Sequence, residues 1–362
     1  LVFISSNKWF RAAYGAKLRA HMAKGAAVLS ITDFGDLPVF EAATAYPMIF
    51  VAQKGGDKVA TRFTQVKSLA EPYPDVRALI EQSGQALPPD ALNGENWSLT
   101  DNTTAARLRT MATASIPLGD YVNGQIYYGI KTGFNAAFVI KGRQRDELIA
   151  DDPKSAEIIK PFAGGRDVRR WRIDYPDKWV IFARRGIQID DYPAIRAHLA
   201  QWKAELTPKR TGKEEKGRKP GRYKWYEVQD DVAYYPAFEK PKIVFPDITK
   251  EPRFAFDSTG GYVDTTIFVI PVDDLYLLGV LNSEAVLELY VDMSPKIRGG
   301  YLRYKRQYVE RIPIPQASAA DRTAIADLVR QCLDTKGQGP RVAEWEAEFN
   351  ARVARLYGLA AD

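Results

Sequence analysis

Hydrophobic and polar positions in residues 1–56 alternate between two periods. The runs LVFISS, AVLSITDF and YPMIFVAQK are apolar and rich in β-branched or aromatic residues, which predicts strands. Between the first two runs lies FRAAYGAKLRAHMAKG, where every fourth residue from Phe10 to Met22 is apolar. This spacing predicts an amphipathic helix that ends at Gly25. Strands and a helix in this order predict part of an α/β sheet with parallel strands.

The pattern changes at about residue 116, where short apolar runs begin to alternate with turn-forming residues. DSTGGYVD places Gly260 and Gly261 between two β-rich runs, which predicts a β-hairpin. Two helical patterns interrupt the strands, YPAIRAHLAQWKAEL and LYLLGVLNSEAVLELYVDM. The runs that predict strands are QIYYGI, AFVI, KWVIFAR, KPKIVFPDI, RFAFDS and YVDTTIFVIPV.

These patterns predict an α+β protein with four regions. Residues 1–56 form a partial α/β sheet with a Rossmann-like edge, and residues 57–115 form a connector with short helices. Residues 116–315 form a mixed, strand-rich domain, and residues 316–362 form C-terminal helices. At ~100–200 residues per domain, a chain of 362 residues is expected to hold two domains or a little more.

Cysteine and histidine are scarce in the chain. Cys332 is the single cysteine, which excludes a disulfide framework and a Cys-rich zinc site. The two histidines, His21 and His198, cannot build a histidine-based metal site by themselves. This usage fits a reducing cytosol, so we expect a cytoplasmic protein that holds no metal. No apolar run approaches the ~20 residues that span a bilayer, so we expect no membrane partner.

Positive charge is concentrated in three segments. The net charge of +6 and the pI of about 9.1 permit a polyanionic partner without requiring one. Residues 294–315 carry six Lys or Arg against one acid, with tyrosines and aliphatic residues between them. GGRDVRRWR, residues 164–172, repeats the combination of Gly, Arg and aromatic residues. KRTGKEEKGRKPGRYK, residues 209–224, is a solvated loop or a loop along phosphates. Together these segments predict a nucleic-acid surface.

The beginning of the chain and Phe40 are unusual. The first residues form a core-like strand without a preceding Met, so we expect a fragment in which something upstream pairs with this strand. Phe40 follows Pro38 just before a predicted strand. A core position is the default for such a residue. At the edge of an open α/β sheet, however, an aromatic residue can project into a ligand crevice.

Ordered motifs along nearly the whole chain resemble a known group of enzymes. LVFISSNKWFRAAYGAKLR and ITDFGDLPVFEAATAYPMIFVAQK look like the last third of an adenine-N6 DNA methyltransferase domain. The group is the large bacterial restriction–modification enzymes of the type IIG kind. YYGIKTGFNAAFVI, IIKPFAGGRDVRRW, YPAIRAHL, FEKPKIVFPDI, LLGVLNS and ERIPIP resemble the TaqI-like specificity domain that follows it. ARVARLYGL is similar to the terminal helix of those enzymes.

The resemblance implies roles for particular residues. In that family the target adenine is flipped out of the duplex, and an aromatic residue in the motif that matches PVFEAAT stacks on it. That role falls on Phe40. The specificity domain holds double-stranded DNA from the other side, and charge and aromatic pattern indicate its contacts. We expect DNA contacts at Lys131, Thr132, Asn135, Arg166, Arg169, Arg170, Lys296, Arg298, Tyr301, Arg303, Tyr304, Lys305 and Arg306.

The chain departs from the family in its first part. Such methyltransferases need a glycine-rich loop for S-adenosylmethionine and an Asn/Asp-Pro-Pro-Tyr/Phe motif, and neither occurs in this sequence. We expect both upstream of Leu1, together with the rest of the methyltransferase region. The nuclease domain of the family is also missing. The resemblance therefore implies a site-specific adenine methyltransferase at full length and a chain that binds DNA without catalysis.

Two alternatives remain open at this point. In one, the chain is a non-catalytic specificity module that joins a separate modification subunit. In the other, the full protein is a phage-defence methyltransferase that has no nuclease.

Overall fold

A computed structural model divides the chain into two compact units. The first unit comprises residues 1–114, 288–303 and 357–359, and the second comprises residues 115–287 and 304–356. The structure describes residues 1–10, 13–35, 37–40, 46–55, 59–87, 91–92, 97, 99, 102–113, 115–211, 216–294, 296–297 and 299–359.

The described residues form a mixture of helices and short strands, which confirms the predicted α+β class. The helices are α1 (Ala16–Gly25), α2 (Val76–Ser83), α3 (Asn102–Thr113), α4 (Leu118–Tyr121), α5 (Asn135–Phe138), α6 (Gly142–Asp151), α7 (Pro193–Ala200), α8 (Lys203–Leu206), α9 (Pro236–Glu239), α10 (Leu275–Leu281), α11 (Glu284–Met293), α12 (Arg306–Val309), α13 (Ala319–Asp334) and α14 (Val342–Leu356).

The strands are spread over several small sheets. They are β1 (Val2–Ser6), β2 (Ala26–Asp33), β3 (Pro47–Lys54), β4 (Arg62–Gln65), β5 (Gln85–Ala86), β6 (Ser115–Pro117), β7 (Tyr127–Tyr128), β8 (Val139–Ile140), β9 (Ile159–Ala163), β10 (Val168–Arg169), β11 (Arg172–Ile173), β12 (Trp179–Ile181), β13 (Lys242–Pro246), β14 (Ile248–Thr249), β15 (Ala255–Asp257), β16 (Tyr262–Val263), β17 (Ile267–Ile270), β18 (Lys296–Ile297), β19 (Tyr301–Arg303) and β20 (Pro313–Pro315).

The first unit contains a mixed sheet with the strand order β1-β3-β2-β4-β5. β3 pairs antiparallel with both β1 and β2, while β2 and β4 pair in parallel. Of the three predicted strands, β1 and β2 run in the same direction, as predicted, but β3 is inserted between them and runs antiparallel to both, so the prediction is wrong for β3. β1 lies at the edge of this sheet, and the side chains of residues 1–4 are 46–71% exposed. The expected upstream pairing partner stays a prediction.

The helix α1 begins later than the sequence pattern from Phe10 predicts. Two 3-10 turns, Asn7–Phe10 and Ala13–Gly15, precede α1. These turns break the 3.6-residue phase, so the predicted apolar face forms only in part: Phe10 and Met22 pack in the core, whereas Leu18 is 45% exposed. Tyr14 is 74% exposed, and the buried position on α1 is Arg19, which donates to the Trp9 carbonyl at 2.5 Å. The core of this unit contains three stacked aromatic rings. Phe10 comes from the first 3-10 turn, Phe50 from β3 and Trp97 from a loop.

Two four-stranded sheets, with orders β16-β9-β12-β8 and β15-β13-β17-β7, form the centre of the second unit. Side chains from both sheets share one core that includes Phe162, Val180, Phe238, Val244 and Tyr262. Each predicted strand run after residue 116 overlaps an observed strand. In the described part of the chain, the helices are all too short or too polar to cross a membrane.

The segment DSTGGYVD connects two sheets and is not a hairpin, so that prediction is wrong. β15 before it pairs with β13, whereas β16 after it pairs with β9. Asp257 accepts hydrogen bonds from the main-chain and side-chain donors of Thr259 at 2.9 and 2.6 Å. Gly261 packs so closely on Tyr175 that a Cβ atom would lie 2.1 Å from its ring. These contacts direct the chain away from β15 and into the other sheet.

Both predicted helical patterns inside the second half of the chain are broken by a short turn. The first becomes α7 and α8, with Trp202 between them, and the second becomes α10 and α11. Asn282 and Ser283 cause the second break, and both are fully buried. The Asn282 amide donates to the Phe254 carbonyl at 2.9 Å and accepts from its N–H at 3.2 Å. At this break, Asn282 is thus hydrogen-bonded to the main chain of Phe254, the residue before β15.

A buried ion pair joins β13 to β15. Lys242 Nζ lies 2.6 Å from Asp257 Oδ2, and neither side chain is exposed. Lys242 also donates to the Phe238 carbonyl at 2.6 Å, and Tyr175 donates to Asp257 at 2.7 Å. Burial alone would raise the pKa of Asp257, but the charge of Lys242 and the hydrogen bonds from Lys242, Thr259 and Tyr175 lower it. The satisfied carboxylate stabilises the pairing of the two strands.

We expect the two members of this pair to be strongly coupled. Either Lys242→Met or Asp257→Asn should lower the free energy of unfolding by ~3–5 kcal/mol, because each leaves a buried charge without its partner. The double variant should lose clearly less free energy of unfolding than the two single variants lose together. Urea unfolding measures the free energy of unfolding of each variant. The exposed ion pair Arg143–Glu147 is the control, and its removal should lower the free energy of unfolding by at most ~1 kcal/mol. Simple additivity of the two losses would contradict the coupling.

Candidate nucleic-acid interface

Three segments of the second unit run in the same direction at one edge of a sheet. β9 and β16 pair in parallel, and Ile130 forms a parallel bridge with Asp264. The Asp264 N–H donates to the Ala163 carbonyl at 2.9 Å, whereas the Ile130 N–H donates to the Val263 carbonyl at 2.7 Å. β16 therefore lies between the other two segments. Since neighbouring strands are ~4.8 Å apart, the chain leaves this edge at two points ~10 Å apart.

We call this region the loop edge and define it as residues 131–135, 164–167 and 264–266. It contains two sequence-predicted clusters, one after Ile130 and one after β9. The carboxyl ends of parallel strands meet at one edge of a sheet, which is why clusters far apart in sequence become neighbours here. Among the predicted contacts, Lys131, Asn135 and Arg166 have exposed side chains at this edge.

The turn at residues 164–167 is held by short polar bonds. The Gly164 N–H donates to the Asp167 carboxylate, and the Asp167 N–H donates to the Gly164 carbonyl, both at 2.8 Å. The Gly165 N–H donates to Thr266 Oγ1 at 2.7 Å. A Cβ atom on Gly164 would lie 2.8 Å from the Asp264 carboxylate. The glycines thus allow close approach to residues 264–266, which leaves Arg166 at the exposed end of the turn.

Residues 131–135 form a turn in which Thr132 is internal. Thr132 is 2% exposed, donates through Oγ1 to Asn135 Oδ1 at 2.6 Å and accepts from the Phe134 N–H at 3.2 Å. Gly133 has a φ of +80°, in the left-handed region that favours glycine. A contact of Thr132 with DNA stays a prediction, and its observed bonds shape the turn that presents Lys131 and Asn135.

Arg218 connects this turn to the basic loop, residues 209–224, of which 209–211 and 216–224 are described. Its side chain is buried, with a whole-residue exposure of 4%. The guanidinium lies 4.5 Å from the Tyr223 ring and 5.4 Å from the Phe138 ring. Burial lowers the pKa of Arg218 to about 10. It donates to the main-chain carbonyls of Leu206 (2.8 Å), Thr132 (2.7 Å), Lys224 (3.3 Å) and Trp225 (3.0 Å).

In the described part of the basic loop, Lys216, Lys219 and Arg222 are exposed. Lys216 forms a long ion pair with Glu205 at 3.8 Å. Lys219 and Arg222 are exposed and make no ion pair with any residue that the structure describes. Because Arg218 bonds to both the loop and Thr132, the structure brings the basic loop beside the loop edge. Both regions carry exposed cations, Lys131 and Arg166 at the loop edge and Lys216, Lys219 and Arg222 in the basic loop.

β10 and β11 form a two-residue hairpin that directly follows the turn at 164–167. Arg169 is exposed and donates to the carbonyls of Arg166 and Val168. Arg170 points inward, where it donates to Glu346 at 3.3 Å and to the Asn282 carbonyl. The hairpin thus presents one predicted contact, Arg169, to solvent and anchors the other, Arg170, inside the second unit. Contact of Arg170 with DNA stays a prediction.

A second hairpin, β18–β19, belongs to the first unit. Lys296 pairs with Leu302, and the connection contains Gly299 and Gly300 with φ of +80° and +78°. Ser294 Oγ donates to the Arg303 carbonyl at 3.0 Å and accepts from its N–H at 2.9 Å, which fixes the base of the hairpin. Tyr301 is 41% exposed. Arg298 lies outside the described residues.

The residues that follow this hairpin along the chain belong to the second unit. Tyr304 is 2% exposed and packs edge-on against Phe254, and its burial raises the pKa of its hydroxyl. Lys305 is exposed. Arg306 lies 3.2 Å from Glu310 in a surface ion pair. The predicted DNA contacts of these three residues remain predictions, and burial makes Tyr304 a core residue of its unit.

Phe40 lies in the first unit after β2 and is 43% exposed. The turn before it is tight, because the Leu37 N–H donates to the Phe34 carbonyl and the Val39 N–H to the Leu37 carbonyl. The ring is therefore not a core residue in this structure, and its stacking role stays a prediction. Across the described residues, there is no group of three or more His, Cys, Asp or Glu that could hold a metal ion.

Comparison with known proteins finds a family model that matches the middle of the chain. Residues 160–314 match the model of the TaqI-like C-terminal specificity domain, so this part of the chain is similar to such a domain. This range contains the turn at 164–167, the basic loop and the hairpin at 296–303. It also contains the β10–β11 hairpin, which we call the arginine hairpin. The resemblance to this domain that the sequence motifs indicate is confirmed.

Curated relatives of the chain are type II methyltransferases. M.PaeR7I of Pseudomonas aeruginosa is 27% identical over 379 residues, covering 99% of this chain and 61% of that protein. M.XhoI of Xanthomonas vasicola is 25% identical, covering 87% of this chain and 58% of that protein. The chain thus spans about three fifths of the length of these relatives. A solved type IIL restriction–modification enzyme, MmeI in complex with DNA, has the same fold, with a TM-score of 0.61, 12% identity and coverage of 100% and 47%.

We expect Arg218 to be structural rather than a phosphate contact. Arg218→Lys should destabilise the second unit by ~2–3 kcal/mol, because an ammonium group cannot donate to several carbonyls in a fixed fork. Proteolysis within residues 209–224 should become faster, since the loop loses its attachment. Arg222→Lys, on the exposed part of the same loop, is the matched control and should change neither melting nor cleavage. If the two variants melt and are cleaved alike, the structural role of Arg218 is disproved.

Proposed function

We propose that this chain is the DNA-recognition part of a site-specific adenine-N6 methyltransferase of a restriction–modification system. The observation that carries the proposal is the loop edge, which gathers Lys131, Asn135 and Arg166 next to the basic loop. Cations along one surface suit phosphates, and arginine and asparagine donors suit base edges in the major groove. The match to a specificity domain and the methyltransferase relatives support it.

The proposal assigns two kinds of contact. On the second unit, Lys131, Arg166 and Arg169 contact duplex DNA together with the exposed cations of the basic loop. On the first unit, the β18–β19 hairpin contributes Lys296, Arg298, Tyr301 and Arg303. Lys305 and Arg306 are additional phosphate contacts. Phe40 stacks on the flipped adenine, for which an exposed aromatic ring in the segment after β2 is suited.

S-adenosylmethionine is the methyl donor that the relatives imply. The residues of this chain do not fit a site for it, because the sequence holds neither a glycine-rich donor loop nor the Asn/Asp-Pro-Pro-Tyr/Phe motif. We therefore derive no catalytic step in this chain and propose that a longer protein supplies the donor site. Such a protein would act in the cytoplasm, with or without a nuclease region.

The first test is the salt dependence of DNA binding. The affinity of the chain for a labelled duplex should fall by orders of magnitude between about 50 and 200 mM salt, because several phosphates are neutralised. Fluorescence anisotropy measures this. Affinity that does not change with salt would contradict a phosphate-contacting surface.

Individual arginines can then be sorted by what they contact. If the side chain contacts a base, Arg166→Ala, Arg169→Ala or Arg303→Ala should each weaken the free energy of DNA binding by ~1–3 kcal/mol. The variant should also lose its preference at one base pair of the recognised sequence. A uniform loss on all sequences means phosphate contact. Arg143→Ala is the control, since Arg143 is exposed and pairs with Glu147 on α6. A loss for Arg143→Ala equal to the others would point to net charge alone.

A methylation assay tests the division of labour. With labelled S-adenosylmethionine and genomic DNA, the chain alone should transfer no methyl groups. Turnover by the chain alone would refute the proposed location of the donor site.

The natural reading frame separates the remaining alternatives. An upstream glycine-rich loop and Pro-Pro-aromatic motif indicate the enzyme, and a start near Leu1 indicates a separate specificity module.

A further inference from the structure

A bulky residue in a strained conformation lies in the turn of the arginine hairpin. The two-residue turn between β10 and β11 consists of Arg170 and Trp171, and Trp171 has a φ of +74°. Glycine or asparagine is the usual residue in this left-handed region, and a bulky residue there carries a conformational cost. Such a residue persists only where its surroundings enforce it, and strain of this kind concentrates at functional sites.

The surroundings of Trp171 come largely from the C-terminal helices. The side chain is 2% exposed, and its indole N–H donates to Glu346 Oε1 at 2.7 Å. Its ring packs edge-on against Phe349, with centroids 5.7 Å apart. Gly337, in the connection between α13 and α14, lies so close that a Cβ atom would be 2.8 Å from the indole. The Trp171 main-chain N–H donates to the Phe254 carbonyl at 3.2 Å.

Glu346 on α14 holds both residues of the turn at once. One carboxylate oxygen accepts from Trp171, and the other accepts from Arg170 at 3.3 Å. Arg170 also donates to the Asn282 carbonyl, so the turn is attached to α14 and to the break between α10 and α11. With both turn residues directed inward, the preceding residues Arg166 and Arg169 remain exposed.

We propose that Glu346 is a positioning residue that fixes the arginine hairpin in the geometry needed for sequence recognition. This proposal rests on the proposed function, because it assumes that Arg166 and Arg169 contact DNA. A guanidinium discriminates between bases only when its fork is correctly placed, whereas attraction to phosphates tolerates movement. Loss of Glu346 should therefore weaken sequence preference while it leaves non-specific DNA binding largely intact.

The experiment is selection from a duplex library with 20 random base pairs, using the full chain. The wild-type chain should enrich one motif. Glu346→Ala should reduce that enrichment by about tenfold or more, the factor expected for a displaced base contact. The fraction of unselected library bound at low salt should change less than about twofold, since phosphate contacts remain. Glu348→Ala is the matched control, because Glu348 lies on the same helix and pairs at the surface with Arg352.

A conservative variant keeps the test decisive if the alanine variant does not fold. Glu346→Gln retains one oxygen acceptor but cannot accept from both Arg170 and Trp171. It should melt near the wild-type temperature and show enrichment between those of wild type and alanine. Wild-type enrichment by a folded Glu346 variant would overturn the positioning role. So would a joint decrease of melting temperature, enrichment and library binding, which indicates a purely structural role.

The outcome for the wild-type chain separates the two proposals. If it binds the library and enriches a motif while Glu346 variants behave like Glu348→Ala, only the positioning role fails. If it binds no duplex or enriches no motif, the proposed recognition function fails, and the positioning role fails with it.

Discussion

Parallel main-chain pairing at β16 is the constraint on which the proposed interface depends. Hydrogen bonds on the two sides of this strand fix β9 and the segment ending at Ile130 in one direction. Lys131 and Arg166 belong to segments far apart in sequence, and this pairing alone makes them neighbours. Because the directions are set by backbone bonds, side chains at the loop edge can differ between proteins while the edge itself persists.

Positive charge in this chain serves two distinct purposes. Lys242, Arg218 and Arg170 are directed inward, where carboxylates, carbonyl oxygens or aromatic rings surround them. These cations organise the second unit, and Lys242 and Arg218 are buried. Other cations, such as Lys131 and Arg166, are directed outward from the structure that the first group holds together. Net charge does not separate the groups, since a core arginine and a surface arginine contribute equally to it.

Sequence patterns predicted the elements better than their partners. Periodicity located the strands after residue 116 and the C-terminal helices, because each needs only local information. It failed at Gly260–Gly261, where the bonds between Thr259 and Asp257 and the packing of Gly261 on Tyr175 direct the chain into another sheet. Charge and aromatic pattern placed Thr132, Arg170 and Tyr304 among the DNA contacts. Their hydrogen bonds or burial depend on distant segments that no local pattern shows, and their contact with DNA stays a prediction. Nothing local marks Arg218, because its carbonyl acceptors come from three separate segments.

The attachment of the basic loop has a consequence for how recognition can diversify. The hydrogen bonds of Arg218 go to main-chain oxygens, which every amino acid supplies, and the loop side chain that its guanidinium contacts is the ring of Tyr223. Residues such as Lys219 and Arg222 can therefore be exchanged without detaching the segment. A loop that carries its own internal anchor in this way can vary its outward-facing positions while its attachment to the second unit stays the same.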